Sequence, residues 1–436
     1  MTAAVSDANL ASRFIDERIG IVGELREVGI APGDPDFVHF FARAADTASL
    51  SGHANFSTGG GASADRPAAA MKAIGEAVER YCAALYDVAD FPLTSARDAD
   101  IACVSPAAFA LHGSEQYDSP GFPWVRFDDD TVVRWTQTVD VITGRPAWVP
   151  AAFVWLPYTY ERGSEDTPIG QPISTGLAAH RSYERAAVSG LCEVIERDAF
   201  TIAWLSRAAL PQLRVETLSD ANYDLVERLE ATGDHVVLLD ATLDTGVPAI
   251  IAVLQSEAPD RPAYVVAAAA DADPEVAVRK ALEELPHTRR YSQRIKDELD
   301  PIADDGVFDH VTTQIDHLNF AAGHEHRPYF TFLFASKQRR SFDELNNLST
   351  GVPATELALL ASRVESVGHR VLVADLTSED VAACGMRVTR TVIPGFHPLF
   401  MGHRIRPLGG TRLYEVPKRL GLDVQPGANP APHPFP

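Results

Sequence analysis

Twice in the chain the pattern Glu-x-x-Glu-Arg stands inside an apolar, helix-like stretch: Glu76, Glu79 and Arg80, then Glu193, Glu196 and Arg197. At about 100° per residue, the second glutamate lies roughly 60° behind the first and the arginine roughly 40° ahead, so each copy puts two carboxylates and a guanidinium on one face. Each copy follows a glycine-containing loop, Gly59-Gly60-Gly61 in one case and Ser174-Thr175-Gly176 in the other. Four carboxylates facing one another repel, and charge that leaves water must be paired or metal-bound. Two arginines do not neutralise four acids, whereas divalent cations do. An all-oxygen ligand set suits Mg2+, which takes one or two carboxylates and completes its octahedron with phosphate oxygens and water. The chemistry implied is a magnesium–nucleotide site between two equivalent helices, the glycine loops offering backbone N–H groups to phosphate. The same pattern also occurs as solvated charge with i,i+3 and i,i+4 pairing, and spacing alone does not separate the two readings.

Two helices must position these residues. Between Ala68 and Leu85 glycine and proline are absent except for Gly75, and Ile74, Ala77, Val78, Tyr81 and Leu85 recur at spacings of three and four. A turn-rich stretch, Ser51–Pro67, precedes it. A second, Pro168–His180, leads into a helix expected from Ser182 to Arg207, with Leu191, Val194, Ile195 and Ala199 facing the core. The first fifty residues read as α-rich, interrupted at Gly20-Ile21-Val22. A hairpin is expected within Trp135–Tyr158 around Thr143-Gly144. Strands follow at Val236–Leu239, Ala249–Leu254 and Ala263–Ala269, then a helix over Pro274–Lys296. The last third reads as strand Tyr329–Ala335, helix Ala354–Val367 and strands Val371–Ala374 and Arg387–Ile393. Such alternation indicates an α/β or α+β protein. The terminal ANPAPHPFP lacks the donors of a helix or inner strand and is expected extended or disordered.

Composition bounds the function. The 436 residues are 46% apolar and 22% charged, as in folded globular proteins, and 38 basic against 60 acidic residues leave a net charge of −22. That excess argues against a nucleic-acid binder or a protein drawn to anionic membranes. No apolar run is long enough to span a bilayer, and charges interrupt the N-terminus where an export signal needs its apolar segment. The four scattered cysteines (Cys82, Cys103, Cys192, Cys384) read as buried reduced thiols, so a cytoplasmic location is expected. His324-Glu325-His326 lacks the spacing of a zinc hydrolase and reads as a loop; His397 and His403 read as structural. Gly59-Gly60-Gly61 is no P-loop, since no Gly-Lys-Ser/Thr follows.

Three segments, GGGASADRPAAAMKAIGEAVERYCA, ISTGLAAHRSYERAAVSGLCEVIERDAFTIAW and VIPGFHPLFMGHRIRPLGGTRLYEVP, in that order, closely resemble the YcaO-domain family. The likeness is strongest to its azoline-forming peptide cyclodehydratases and runs from about Phe14 to the C-terminus. It implies an α+β YcaO-type fold with mixed sheets, its two glutamate-bearing helices flanking an ATP site. It divides the chain into an N-terminal α-rich segment (1–50), a YcaO domain (51–425) and a Pro-rich tail (426–436). It implies ATP and Mg2+ held by Glu76, Glu79, Glu193 and Glu196, with Arg80 meeting phosphate. Lys72 stands where many relatives have serine and reads as an exposed helical lysine. Relatives pair a Gln with an Arg in a later helix; here ALEELPHTRRY offers His287, Arg289 and Arg290, of which Arg290 is the expected ATP-site residue.

Pro432, Pro434 and Pro436 match the P-x-P-x-P terminus that, in azoline-forming members, enters the active site to position groups for cyclisation. The reaction implied converts Cys, Ser or Thr of a ribosomal precursor peptide to thiazoline or oxazoline through ATP-dependent phosphorylation of the backbone amide oxygen. The N-terminal segment is too short for an E1-like domain, so a separate E1-like or leader-binding partner is expected, and a homodimer. Within the family the same chemistry also serves external nucleophiles to give thioamides or amidines; a non-catalytic ATP-binding scaffold is the third possibility.

Overall fold

The computed structural model describes residues 7–109, 111–161 and 163–436; the first six residues of the segment read as α-rich lie outside it. Three sheets carry the fold. Strands β1 (Val22–Val28), β2 (Val38–Ala44) and β3 (Thr58–Ser63) form an antiparallel sheet. Strands β4 (Leu93–Thr94), β5 (Val133–Asp140), β6 (Pro146–Pro150) and β7 (Leu177–His180) begin a second sheet. Strands β8 (Gln212–Leu213), β9 (His235–Asp240), β10 (Ala249–Gln255), β11 (Tyr264–Ala270) and β12 (Arg339–Arg340) form the third, and β13 (Leu372–Asp375) and β14 (Arg387–Val392) complete the second, in the order β4-β5-β13-β14-β7 with β6 beside β5. Every pairing is antiparallel except that of β12 with β8. Helices pack on the sheet faces, which makes the protein α+β.

The N-terminal segment departs from the α-rich expectation. Its described residues hold two strands, and those strands pair with each other and then with β3 across residue 50, so no boundary falls there. Helical propensity was the weaker signal: the alternation in Val-His-Phe-Phe-Ala-Arg-Ala turns Phe40 and Ala42 inward once β1 and β3 flank it. The turn-rich reading of Gly59-Gly60-Gly61 is corrected for the same reason, since these residues lie inside β3. The glycines let the strand lie directly on a helix: a Cβ on Gly59 would stand 2.6 Å from the Ala73 carbonyl and 2.7 Å from the Ala77 nitrogen.

That first glutamate helix runs Arg66–Ala83, opened by Asp65, whose carboxylate accepts the Ala68 N–H (2.8 Å). The second runs Tyr183–Ser206, with Ser182 accepting from Arg185 N–H and Arg207 left-handed at its end (φ 50°). Its face from Leu191 to Leu205 is the middle of the largest core, which joins β9, β10 and β11 to the C-terminal segments. A third long helix, Pro274–Glu298, starts at the Asp273 cap and lies against β10, β11 and β3.

Two further expectations change. Tyr329–Ala335 is not a strand: residues His324–Phe334 wind as 3-10 helix, because Pro328 cannot donate to a ladder and Phe330 and Phe332 bury against Trp204. That helix also replaces the loop expected at His324–His326. The tail after Pro426 is non-helical but not disordered: Ala431, His433 and Phe435 are each at most 1% exposed. No helix among the described residues is long and apolar enough to cross a membrane.

Candidate functional site

Both Glu-x-x-Glu-Arg copies adopt the same local geometry. Glu76 accepts the N–H of Gly60 (2.8 Å), and Arg80 reaches Glu76 at 3.3 Å. Glu193 accepts the N–H of Gly176 (3.1 Å), and Arg197 reaches Glu193 at 3.4 Å. In each case a backbone amide just upstream of the helix holds the first glutamate, and the arginine one turn later braces it. Small residues make the second approach possible: a Cβ on Gly190 would lie 2.5 Å from the Gly176 carbonyl. The glycine N–H groups, expected to face phosphate, are thus taken by carboxylates.

The second glutamates point elsewhere. Glu79 leaves its own copy to accept the N–H of Ala179 on β7 (2.7 Å), which ties the first helix to the strand that leads into the second. Burial pushes its pKa up to about 8; Arg80 opposes this, while the like charges of Glu193 and Glu76 add to it. Glu196, 8% exposed, is also pushed up to about 8 by burial, against the pull of Arg197 and with repulsion from Glu193 and Glu284. Arg197 lies 3.4 Å from Glu196 as well as from Glu193.

The four carboxylates therefore interact, but they do not close one cage. Among the described residues no three His, Cys, Asp or Glu side chains converge enough to hold a metal ion unaided. The site nonetheless fits Mg2+ with a polyphosphate, since that ion takes few protein ligands and shares the rest with phosphate and water. Nη1 of Arg197 is a buried donor without a partner, a position an anion would satisfy.

Other residues expected here have varied places. Lys72 is not an exposed helical lysine: its ammonium bonds Glu283 (2.7 Å) and the Ala62 carbonyl (2.9 Å), and Glu283 also accepts from Ser63 (2.5 Å). Arg290 is turned away from the carboxylates, donating to the Gly29 carbonyl (2.7 Å) with Asp34 4.0 Å off. The physical reason is axial distance: it stands two turns, about 10 Å, beyond Glu283 on the same helix. Arg289 is buried in ion pairs with Asp34 and Asp234. Of the three candidates His287 comes nearest the first copy, its ring lying against Gly60.

The sequence reading missed Lys280, which pairs with Asp271 (2.8 Å) and acts on Glu196, and Glu284, which repels Glu196; both precede His287 on the same helix, and no motif marks either. It also missed Arg390, two residues before the C-terminal motif that begins at Val392; burial lowers its pKa to about 10, and the charge of Glu193 opposes this. Cys82 and Cys192 are buried free thiols, raised by burial, Cys82 to about 11; Cys103 and Cys384 are only partly buried. His397 is structural: its ring Nε2 accepts the Leu413 N–H, and its backbone N–H donates to Asp198, which Arg412 grips in a buried ion pair.

The tail closes this region. Trp204 donates to the Ala431 carbonyl (3.2 Å), His433 bonds the Phe400 carbonyl (2.6 Å), and His317 stacks on His433 at 3.9 Å. Phe435 packs on Phe200 and under Arg197. Pro432, Pro434 and Pro436 alternate with these anchors, which brings the end of the chain to the second glutamate helix.

Comparison with known proteins follows the same lines. An uncharacterized protein of Methanothermobacter thermautotrophicus is 27% identical over 358 residues, covering 79% of this chain and 84% of that one. A heterocyclase solved in complex with substrate and cofactor superposes with a TM-score of 0.78 at 19% identity, over 98% of this chain; the chain spans only 57% of that protein. The YcaO protein of Methanopyrus kandleri bound with AMPPCP and Mg2+ superposes with a TM-score of 0.61 at 23% identity, over 86% of each chain. Residues 60–397 match the YcaO cyclodehydratase family, described as ATP- and Mg2+-binding, and the chain belongs to that family.

Proposed function

We propose that this chain is an ATP-dependent peptide cyclodehydratase that makes azolines. A Cys thiol, or a Ser or Thr hydroxyl, of a ribosomal precursor peptide attacks the preceding backbone carbonyl. The γ-phosphoryl group of ATP passes to the resulting tetrahedral oxygen, releasing ADP. Phosphate then leaves with that oxygen as the ring C=N bond forms, so the peptide loses one water. Glu76, Glu79, Glu193 and Glu196 are the residues to hold Mg2+, which when bound neutralises charge on the phosphates. Arg80 and Arg197 are placed to receive phosphate oxygens, and Pro432, Pro434 and Pro436 to order the end of the chain where nucleophile and carbonyl meet.

The observation that carries this reading is the burial of the Pro-rich tail against the helix bearing Glu193 and Glu196. Mass spectrometry of a candidate precursor, co-expressed with this chain and a leader-binding partner, tests it. Loss of one water localised to Cys, Ser or Thr supports it; replacement of oxygen by sulfur, or an unmodified peptide with ATP bound, refutes it.

A separate E1-like or leader-binding partner presents the precursor peptide to this chain. Efficient cyclisation by this chain alone would exclude that arrangement. A cytoplasmic homodimer completes the proposal, and sedimentation of the purified protein tests the dimer.

A further inference from the structure

Behind the second glutamate helix lies a cavity of about 110 Å³. Val194, between Glu193 and Ile195, and Thr175, beside the amide that holds Glu193, form part of its wall. The rest is largely aromatic and aliphatic, with Phe109, Trp124, Phe153 and Phe400 prominent. Phe400 is also the residue whose carbonyl anchors His433 of the tail. The cavity is thus bounded by the carboxylate helix on one side and the tail's support on another.

One charged side chain lines it. Arg390, 4% exposed, donates through Nε to the Phe153 carbonyl (3.1 Å) and through Nη2 to the Ile173 carbonyl (2.6 Å). Its Nη1 is buried with no acceptor. The charge of Glu193 offsets part of the cost of burying this guanidinium, but Nη1 itself has no acceptor, and a donor left unmade there is costly. The two ring systems nearest in kind, His112 and His397, are pushed down to about 4 by burial, so they add no positive charge at neutral pH.

An apolar chamber with one orphaned donor selects a ligand that carries an apolar group beside one strong acceptor. That is the repeating unit of a polypeptide: a side chain next to a backbone carbonyl. A purine does not suit it, because a cavity of about 150 Å³ is what benzene fills, and a bicyclic base also needs several polar partners. We infer that this cavity seats an apolar side chain of the peptide substrate close to the residue that is modified, with Arg390 donating to a backbone carbonyl of the same peptide. The inference rests on the reading of this chain as a peptide-modifying enzyme, and names a preference of that site for apolar flanking residues.

Binding to the full-length chain tests it, with N-acetyl-leucine methylamide and N-acetyl-serine methylamide as probes in ligand-observed NMR titrations. The leucine amide is expected to bind at least tenfold more tightly. Ile173→Trp, which fills the cavity while keeping the Ile173 carbonyl, is expected to cut leucine-amide affinity at least tenfold and to leave Mg–ATP binding unchanged. Val392→Phe, a second filling variant, repeats the test should the first fold poorly. Equal affinities for the two amides, no binding of the leucine amide, or competition between it and Mg–ATP would overturn the inference. Failure of the cyclodehydratase reading is distinguishable: the precursor would show no loss of water while the amide still bound.

Discussion

The guanidinium of Arg197 lies 4.2 Å from the centre of the Phe435 ring, although 238 residues separate them in the chain. The same guanidinium reaches Glu193 and Glu196, so the penultimate residue of the protein braces the second carboxylate pair through one arginine. A desolvated cation–π contact contributes about 2 kcal/mol. Phe435→Leu, which keeps an apolar side chain but removes the π face, is therefore expected to lower kcat for ATP turnover by up to about thirtyfold. Steady-state phosphate release measures this. Removal of residues 432–436 is expected to abolish peptide modification altogether, and wild-type turnover in the truncated protein would count against the tail's role.

Glu79→Gln and Glu196→Gln each keep shape and lose charge. Burial pushes the pKa of both residues up to about 8, so the fold already accepts the uncharged acid near neutral pH and tolerates the neutral amide. ATP turnover is expected to fall at least a hundredfold in each, with thermal midpoints at or above that of the unsubstituted protein. Full activity in both variants would remove these residues from the site.

Two glycines in the glutamate helices are predicted to behave oppositely. A Cβ on Gly190 would press on the Gly176 carbonyl at 2.5 Å and on Thr391 Oγ1 at 3.0 Å. Gly190→Ala is expected to cost about 1–3 kcal/mol by overpacking, and to weaken Mg–ATP binding because Gly176 carries Glu193. Gly75 has no heavy atom within 4 Å of its would-be Cβ. Gly75→Ala is expected to stabilise by about 0.5–1 kcal/mol. Denaturant titrations of the two variants give the comparison.

Docking of the tail is expected to weaken in acid. His317 donates through Nδ1 to the His433 carbonyl and accepts the Gly402 N–H on Nε2, while His433 accepts the Phe435 N–H on Nδ1 and donates through Nε2. Each ring needs one unprotonated nitrogen. Burial pushes His317 down to about 3 and His433 well below its ordinary value. An unfolded histidine takes its proton near pH 6.5, so the stabilisation is complete above that pH and is lost as pH falls toward 3. The expected loss is about 1.4 kcal/mol per pH unit for each histidine below pH 6. Trp204 fluorescence during urea unfolding at several pH values follows it, since Trp204 holds Ala431; a flat profile between pH 7 and 5 would contradict it.

What was legible in advance was what short-range periodicity encodes. Both glutamate helices and strands β9, β10 and β11 follow from side-chain spacing and caps, because those interactions are local in the chain. The ordered motifs carried the family. What tertiary structure decided lies in contacts that no local pattern records. Glycines 59–61 read as a turn by composition, yet become a strand because a helix must approach it closely. Arg290 is expected at the site from the resemblance alone, yet its guanidinium donates to the Gly29 carbonyl. Tyr329–Phe334 reads as a strand, yet its aromatics bury against Trp204 from a 3-10 helix. The Pro-rich end reads as free chain, because proline forbids regular hydrogen bonding; its order comes from Trp204, His317, Phe400 and Arg197, which only folding brings to it. The sequence by itself determined which residues could carry charge to one face of each helix. The tertiary structure decided which of those charges meet, because burial and long-range pairing depend on every element that packs around them.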